Sequence, residues 1–263
     1  MTFCRSLLNE LKRCVFSVEF LVTVLIVALS YFFSSLEEIK FMRNSSSVDV
    51  LYFFDLVHNI GSFTTLSVLC CTVLNCTSFL RDYKSKYYYH RIMRSGNLTY
   101  VLSKYISCVI GGGLILALGE FLFVLSLAFE FPLVSESSST LESYSHAADI
   151  YFISEPLSKG NYVGVFAIYG FLAFIFGALW SGVGITVSAF ITDNYVASFS
   201  PYIIWFISCG ILPDDLRTEV YLRGNYNFDG AAKSLAVAFI YFATITVLLG
   251  IIFCKKAGKR CEE

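Results

Sequence analysis

Long apolar runs constrain this chain more than any other feature. Six of them approach or reach the roughly 20 residues that an α-helix needs to cross the hydrocarbon core of a bilayer. They cover residues 15–36, 58–80, 105–129, 162–191, 196–212 and 234–254. Only 15% of the 263 residues are charged, against about 25% in ordinary soluble domains, so the apolar surplus has to face lipid. We predict an all-α integral membrane protein in which residues 1–263 form a single transmembrane domain with six transmembrane helices.

The positions of Lys and Arg predict how the chain is oriented, because basic residues in short loops favour the cytoplasmic side. With a cytoplasmic N-terminus, 13 basic residues fall inside and 6 outside. Most acidic residues between the runs fall outside in the same arrangement. Both termini are therefore expected in the cytoplasm.

Residues 1–13 precede the first run and have the pattern of an amphipathic helix. Apolar side chains at Phe3, Leu7 and Leu11 lie at helical spacing, opposite a polar face that includes Arg5 and Glu10. Such a helix can lie flat on the inner leaflet. An ordinary polar start to the chain is the alternative.

Sequence motifs give no support for catalysis by this chain alone. The glycines at 111–113 are followed by Leu and Ile rather than by the Gly-Lys-Ser of a phosphate-binding loop, and neither His-Glu-x-x-His nor Gly-x-Ser-x-Gly occurs. Nine cysteines without Cys-x-x-Cys spacing and three histidines do not form a recognisable metal site. We therefore predict a protein that is not an enzyme by itself and that binds no metal or cofactor.

Small residues indicate close helix packing. The glycines at 111–113 and the series Ala173, Gly177 and Ser181, at intervals of four, allow two backbones to approach each other. The contact could lie within the bundle or across a dimer.

Ionisable residues inside apolar runs are candidates for function, because a charge in hydrocarbon is costly and usually faces protein or water. Glu120 lies near the middle of the third run, and Asp55 and His58 lie near the outer end of the second. They could line a translocation path or hold two helices together. A protonated carboxyl that is satisfied in a helix interface is an equally good interpretation of Glu120.

The inner segment 81–104 is the only sizeable loop expected on the cytoplasmic side. It combines cations with aromatic and apolar residues, and it breaks at Ser95 and Gly96, which predicts a short amphipathic helix that ends at Gly96. Such a helix could dock on a cytoplasmic partner, or the segment could serve only as a positive-inside anchor. The docking candidates are Asp82, Lys84, Tyr88, Arg91, Ile92 and Arg94.

The whole arrangement resembles the ABC-2 type permeases, the membrane subunits of ABC exporters. The inner loop is similar to that family's loop at Phe79, Asp82, Ser85, Ile92, Ser95 with Gly96, and Lys104. Residues 176–182, 188–191 and 200–202 are similar to the family's fourth span and the turn that follows it. The chain departs from the family at Asp82, where glutamate is commoner, and at Lys84–Ser85, where a glycine is expected.

The resemblance implies the ABC-2 (type V exporter-like) permease fold and a role in export. A separate ABC ATPase subunit, which binds ATP and Mg²⁺, would dock on segment 81–104, so the six docking candidates become ATPase-coupling candidates. A second permease chain, identical or related, would complete the export route in a bacterial plasma membrane. The cargo of similar short permeases is a peptide, a bacteriocin or a drug. A stand-alone secondary transporter or channel with Glu120 as an ion-linked site is the main alternative, and a non-transporting scaffold or sensor subunit is a third.

Overall fold

The structure is a computed structural model that describes residues 3–42, 48–59, 63–135, 138–147 and 150–262. Within these ranges the chain forms twelve α-helices and one short 3₁₀ helix, Asp214–Leu216, and it contains no strand. The helices are α1 Phe3–Val15, α2 Val18–Met42, α3 Val50–Asn59, α4 Phe63–Lys84, α5 Tyr87–Ser95, α6 Asn97–Leu127, α7 Ser139–His146, α8 Ser154–Ser158, α9 Tyr162–Ser188, α10 Asn194–Ile211, α11 Thr218–Arg223 and α12 Ala231–Glu262.

Helix length and hydropathy show a multi-pass membrane protein. Among the described residues, α2, α6, α9 and α12 are each long and apolar enough to cross a membrane. Helices α3 and α4 count as a fifth span if the pair, whose axes differ by 82°, crosses as one bent segment. Helix α10 has 18 residues, includes Pro201, and does not belong to this group. An all-α membrane protein is therefore confirmed, whereas the count of six spans stays a prediction.

The observed helices do not end where the apolar runs end. Helix α6 begins at Asn97 rather than at residue 105, and α12 continues to Glu262 rather than stopping at residue 254. Hydropathy marks only the part of a helix that suits hydrocarbon, whereas backbone hydrogen bonds continue through polar residues. Two expectations fall partly outside the described residues: residues 1–2 of the N-terminal helix and residues 60–62 of the second run.

The second apolar run does not form one straight helix. His58, expected at its start, belongs to α3, and α4 begins at Phe63. The run at residues 58–80 therefore begins in α3 and continues in α4, and α4 extends beyond the run to Lys84.

Helix α6 lies at the centre of the bundle and contacts α1, α2, α4, α9 and α12. Its closest neighbour is α9, where a Cβ atom placed on Gly177 would lie 2.5 Å from the carbonyl oxygen of Gly112. The Ser181 hydroxyl donates a hydrogen bond of 2.8 Å to the carbonyl of Cys108. The close-packing interpretation of these small residues is confirmed, and the contact lies within the bundle.

Basic residues collect at one end of the bundle, which we call the basic end. Helix α1 and α5 lie there, together with the C-terminal ends of α4, α9 and α12 and the N-terminal ends of α6 and α10. Three contacts join these ends: Asn97 Nδ2 to the Gly258 carbonyl at 3.0 Å, Lys84 Nζ to Asn194 Oδ1 at 2.9 Å, and Arg260 to the Ser188 carbonyl at 3.3 Å.

The opposite end of the bundle is covered by the short helices α7, α8 and α11. The amide of Phe152 donates to the Tyr226 carbonyl at 3.3 Å, and the amide of Ala231 donates to Glu155 at 2.8 Å. Helix α10 starts at the basic end and finishes here, where Arg217 Nε donates to the Leu212 carbonyl at 3.1 Å.

Candidate functional site

Helix α5 forms inside the segment for which the sequence predicts a docking helix. It ends where the sequence predicts, because Gly96 has a φ of 83° and its amide donates a 2.8 Å hydrogen bond to the Ile92 carbonyl. Glycine adopts such a positive φ without steric cost, which makes it a common helix terminator. The existence of the helix is thus confirmed, while its role stays a prediction.

One face of α5 contacts the rest of the protein. Tyr88 stacks on Tyr83 at the C-terminal end of α4, with 5.2 Å between the ring centroids. Tyr88 and Ile92 pack against a small apolar cluster that includes Phe79 and Phe253. Arg91, one turn after Tyr88, is only 13% exposed. These three coupling candidates therefore contact the rest of the chain and help to hold α5 in place.

The other face of α5 is exposed. It consists of Tyr89, His90, Met93 and Arg94, and we call it the outer face of α5. Tyr89 is 56% exposed and Met93 is 74% exposed. Exposed apolar patches rimmed by polar residues often mark surfaces that bind another molecule. Of the six coupling candidates, the structure places only Arg94 on this face and Lys84 beside it, exposed and bonded to α10.

Behind α5 lies a group of five charged side chains, which we call the ion cluster: Glu10, Arg13, Asp82, Arg91 and Lys104. Lys104 Nζ lies 2.7 Å from Asp82 Oδ2 and 3.3 Å from Glu10 Oε2. Arg91 pairs with Glu10 at 2.8 Å, and Arg13 pairs with Asp82 at 2.8 Å. The cluster therefore joins α1, α4, α5 and α6 through their side chains.

Burial distinguishes the centre of the ion cluster from its edge. The side chains of Glu10, Asp82 and Lys104 are 3%, 1% and 4% exposed, whereas Arg13 is 47% exposed. A buried charge is tolerated only when it is paired and hydrogen-bonded, and each of the two carboxylates has two cationic partners here. The Tyr100 hydroxyl also donates to Asp82 at 3.3 Å.

Sequence analysis missed the central role of Glu10. The amphipathic pattern placed Glu10 on the polar, solvent-facing side of the N-terminal helix, but the structure buries it against α6. Ser6, one turn earlier on the same side, is also buried and lies 3.1 Å from Ser103 across the contact. The spacing of Ser6, Glu10 and Arg13 along one stripe was the available signal, because such a stripe can face a protein partner as well as water.

Two of the three intramembrane candidates lie in one buried group. The Tyr31 hydroxyl of α2 lies 3.3 Å from Glu120 Oε2 and 3.5 Å from His58 Nε2. His58 Nδ1 lies 3.0 Å from the Phe54 carbonyl, which can only accept, so this nitrogen carries the ring hydrogen. In the neutral ring Nε2 is then an acceptor, and the single hydrogen of the Tyr31 hydroxyl can go either to Nε2 or to the carboxyl of Glu120.

Asp55 belongs to a separate polar group at the opposite end. Its Oδ1 accepts from the Tyr144 hydroxyl at 2.6 Å and from Asn59 Nδ2 at 2.7 Å. Burial, together with the neighbouring Tyr169 and Asp55, raises the pKa of Tyr144 well above its ordinary value, so this phenol stays a donor. A cavity of about 180 Å³ opens beside Asp55 and Tyr144. The structure thus joins Glu120 to His58 but does not hydrogen-bond Asp55 to either.

The described residues contain no group of three or more His, Cys, Asp or Glu side chains placed to hold a metal ion. Eight of the cysteines form no disulfide in this part of the chain, and Cys4 is exposed. The side chain of the ninth, Cys76, lies outside what the structure describes. The chain matches no protein-family model, no curated protein and no solved structure.

Proposed function

We propose that this protein is the permease subunit of an ATP-driven ABC exporter and that it couples to a separate ATPase subunit at the basic end. The observation that supports the proposal is the outer face of α5, an exposed apolar and cationic surface on a helix held by the ion cluster. A partner that pushed on Met93 or Tyr89 would displace α5, and with it Arg91. Because Arg91 is bonded to Glu10, the displacement would reach α1 and the spanning helices α4 and α6.

Six spans are part of this proposal. Helix α10 runs from the basic end to the opposite end, and its 18 residues extend about 27 Å at 1.5 Å per residue. This length is close to the roughly 30 Å of a hydrocarbon core. With α10 and the bent α3–α4 pair included, α2, α6, α9 and α12 complete six crossings with both termini at the basic end, which we place in the cytoplasm of a bacterial cell.

The other subunits of the exporter would be separate chains. ATP and Mg²⁺ would be bound by the ATPase subunits, and this chain would not hydrolyse nucleotide itself. A second permease chain, identical or related, would enclose the export route together with this one. The cargo class that we propose is a peptide, bacteriocin or drug, on the strength of the family resemblance alone.

The outer face of α5 provides the test. A tagged protein with Tyr89→Ala, Met93→Glu and Arg94→Glu is purified in mild detergent from its native membrane, and Mg²⁺-dependent ATPase activity and photolabelling by azido-ATP are measured in the eluate. We expect the wild type to bring down a stoichiometric nucleotide-binding subunit and the variant to lose it by at least tenfold. The variant should insert normally, because the three side chains lie on the exposed side of α5.

Controls separate docking from folding. Arg91→Glu is unsuitable as the docking variant, because it would place a third carboxylate beside Glu10 and disturb the ion cluster. Lys12→Glu with Arg5→Glu changes a comparable charge on the exposed side of α1 and should leave co-purification intact. Equal recovery of the ATPase by the α5 variant and the wild type would contradict the docking surface, and absence of any ATPase from the wild-type eluate would contradict the exporter.

A stand-alone secondary transporter or channel is the second candidate, and the buried group of Glu120, Tyr31 and His58 favours it. A carboxyl joined through a hydroxyl to an imidazole can hold a proton at more than one site. Under this function, liposomes that contain only this protein should show a pH-dependent flux, and Glu120→Gln should abolish it. Glu38→Gln, which removes a carboxylate near the end of α2, is the control and should leave the flux unchanged. No flux from the wild-type protein alone would eliminate this candidate.

A further inference from the structure

A second basic feature lies apart from the ion cluster, where the end of α12 passes the end of α9. A cavity of about 190 Å³ opens there, and we call it the α12 pocket. It is lined by Ala189, Phe190, Thr192, Lys256, Lys259 and Arg260. Three of these six residues are cations and none is acidic. The pocket is therefore suited to a small group with negative charge.

The side chains that line the α12 pocket are fixed to different degrees. Arg260 is held in place, since it donates to the carbonyls of Ser188 and Ala189 at 3.3 Å each and its guanidinium lies 4.3 Å from the Tyr83 ring centroid. Lys256 and Lys259 are exposed, and Lys256 Nζ lies 5.6 Å from the Phe190 ring centroid. The two lysines can therefore turn towards a ligand while Arg260 supports the wall of the pocket.

The carboxylate that follows the lining residue Thr192 forms hydrogen bonds at the start of α10. Asp193 follows Thr192, and its Oδ1 accepts from the amides of Tyr195 and Val196 at 2.8 and 3.0 Å, where it caps α10. At this position the dipole of the helix favours its negative charge.

The larger cavity beside the ion cluster, of about 410 Å³, is a poorer anion site although it is also basic. Each of its cations already has a carboxylate: Arg81 lies 2.9 Å from Glu19, Lys104 lies 2.7 Å from Asp82, and Arg13 pairs with Asp82 as well. An incoming anion would have to displace these partners. Charge complementarity therefore favours the α12 pocket.

We propose that the α12 pocket binds the phosphate headgroup of an anionic phospholipid from the adjacent leaflet. On α12, Leu248, Ile252 and Lys256 follow one another at intervals of four residues, so they lie along one side of the helix. Leu248 and Ile252 are 55% and 46% exposed. An acyl chain can lie along these apolar residues while the phosphate, one helical turn further, reaches Lys256 and Lys259. Phe190, 56% exposed, stands at the same depth, where aromatic residues often mark the membrane interface.

The continuous apolar path distinguishes a lipid from a soluble phosphate. A free phosphate or a phosphorylated metabolite would meet only the lysines, whereas a lipid gains the apolar contact along α12 as well. Each Lys or Arg near a membrane surface strengthens binding of an anionic lipid by about fivefold. Loss of both lysine charges is therefore expected to weaken binding by about 25-fold.

Native mass spectrometry of the purified full-length protein in detergent tests the proposal, with phosphatidylglycerol as the titrated probe. We expect one tightly bound phosphatidylglycerol at this site, and Lys256→Gln with Lys259→Gln should weaken its binding by about 25-fold. Lys256→Arg with Lys259→Arg keeps both charges and should bind as well as the wild type. Since these side chains are exposed, the substitutions leave the packing of α12 unchanged.

A matched pair of lysines at the same end serves as the control. Lys84→Gln with Lys86→Gln removes the same charge from exposed positions outside the pocket and should change binding by less than about threefold. An equal loss in both double variants would show diffuse surface charge and overturn the pocket. Equal affinity for phosphatidylcholine would overturn charge recognition, and equal affinity for glycerol 3-phosphate would identify a soluble phosphate site instead of a lipid site.

Discussion

Replacing Lys104 with methionine should destabilise the protein more than any other single change of charge at the basic end. Lys104 Nζ is the only group of the ion cluster that contacts both Glu10 and Asp82, at 3.3 and 2.7 Å. With an effective dielectric constant of about 20, these distances correspond to gross attractions of about 5 and 6 kcal/mol. Much of this attraction is offset by the cost of burying the ammonium group. Methionine keeps a similar apolar stem, so the charge is the main quantity that changes.

The net loss of stability depends on which cationic partners Glu10 and Asp82 keep. Removal of one member of a buried ion pair typically costs about 3–5 kcal/mol, because the other charge stays buried without compensation. After Lys104→Met, Glu10 still has Arg91 and Asp82 still has Arg13. We therefore expect the lower end of that range, about 3 kcal/mol in the free energy of unfolding.

Arg13→Met provides the comparison, because Arg13 contacts the same Asp82 but is 47% exposed. Solvent screens such a pair, so its loss should cost about 1 kcal/mol or less. The free energy of unfolding is measured by titrating the purified protein from dodecyl maltoside into sodium dodecyl sulfate and following tryptophan fluorescence. Lys84→Met, which removes an exposed cation, is the control and should cost under about 0.5 kcal/mol.

A double variant tests whether the effect comes from the pair itself. Lys104→Met with Asp82→Asn removes both charges of the 2.7 Å contact, and it should cost less than the sum of the two single changes. We expect the shortfall to be about 1–3 kcal/mol, the range found for residues in one ionic network. The reasoning would be refuted if Arg13→Met cost as much as Lys104→Met, or if the two single changes were simply additive.

Three further predictions use the same unfolding measurement. Gly177→Ala should lower the free energy of unfolding by about 1–3 kcal/mol, because its Cβ would lie 2.5 Å from a backbone oxygen of α6. Gly170→Ala on the same helix is the control and should be neutral or stabilising, because no atom lies within 4 Å of its Cβ position. An equal loss of stability in the two variants would contradict the close contact. Tyr31→Phe removes the hydroxyl beside buried Glu120 and should cost about 1–3 kcal/mol, so a neutral result would argue against that hydrogen bond. Glu19→Gln breaks a pair whose side chains are 50% exposed, and a cost above about 1 kcal/mol would contradict solvent screening there.

The sequence predicted the parts of this fold that depend on local pattern. Apolar runs identified the long helices because a helix that faces lipid needs about 20 mostly apolar residues in succession. Small residues at intervals of four predicted close packing of α9, without naming the helix that it contacts, and Gly96 predicted the end of α5. Each of these signals is complete within one segment of the chain, so no knowledge of the partner segment was needed.

The parts that were missed depend on pairs of distant segments. Glu10 and Lys104 are 94 residues apart, and the periodicity of residues 1–13 cannot show that the polar face of α1 will meet a lysine of α6. Likewise, segment 81–104 predicted a docking helix but not which of its faces is outward. Asp82, Tyr88, Arg91 and Ile92 were chosen for residue type, and the structure assigns them to contacts inside the protein.

Charged side chains at the basic end occur in two different settings. In the ion cluster and at the Arg81–Glu19 pair, carboxylates of α1, α2 and α4 neutralise the cations within the chain, and the buried charges of the ion cluster hold helices together. Among the described residues, those that line the α12 pocket include no acidic one, and on the outer face of α5 Arg94 lies beside exposed Tyr89 and Met93. An ion cluster can be explained by its structural role alone. Exposed apolar groups beside cations, by contrast, are stabilised most when another surface covers them. The two places face different surroundings, since α5 lies beyond the long apolar helices and the α12 pocket continues an apolar helix face. This difference is why we propose a protein partner for the first and a lipid for the second.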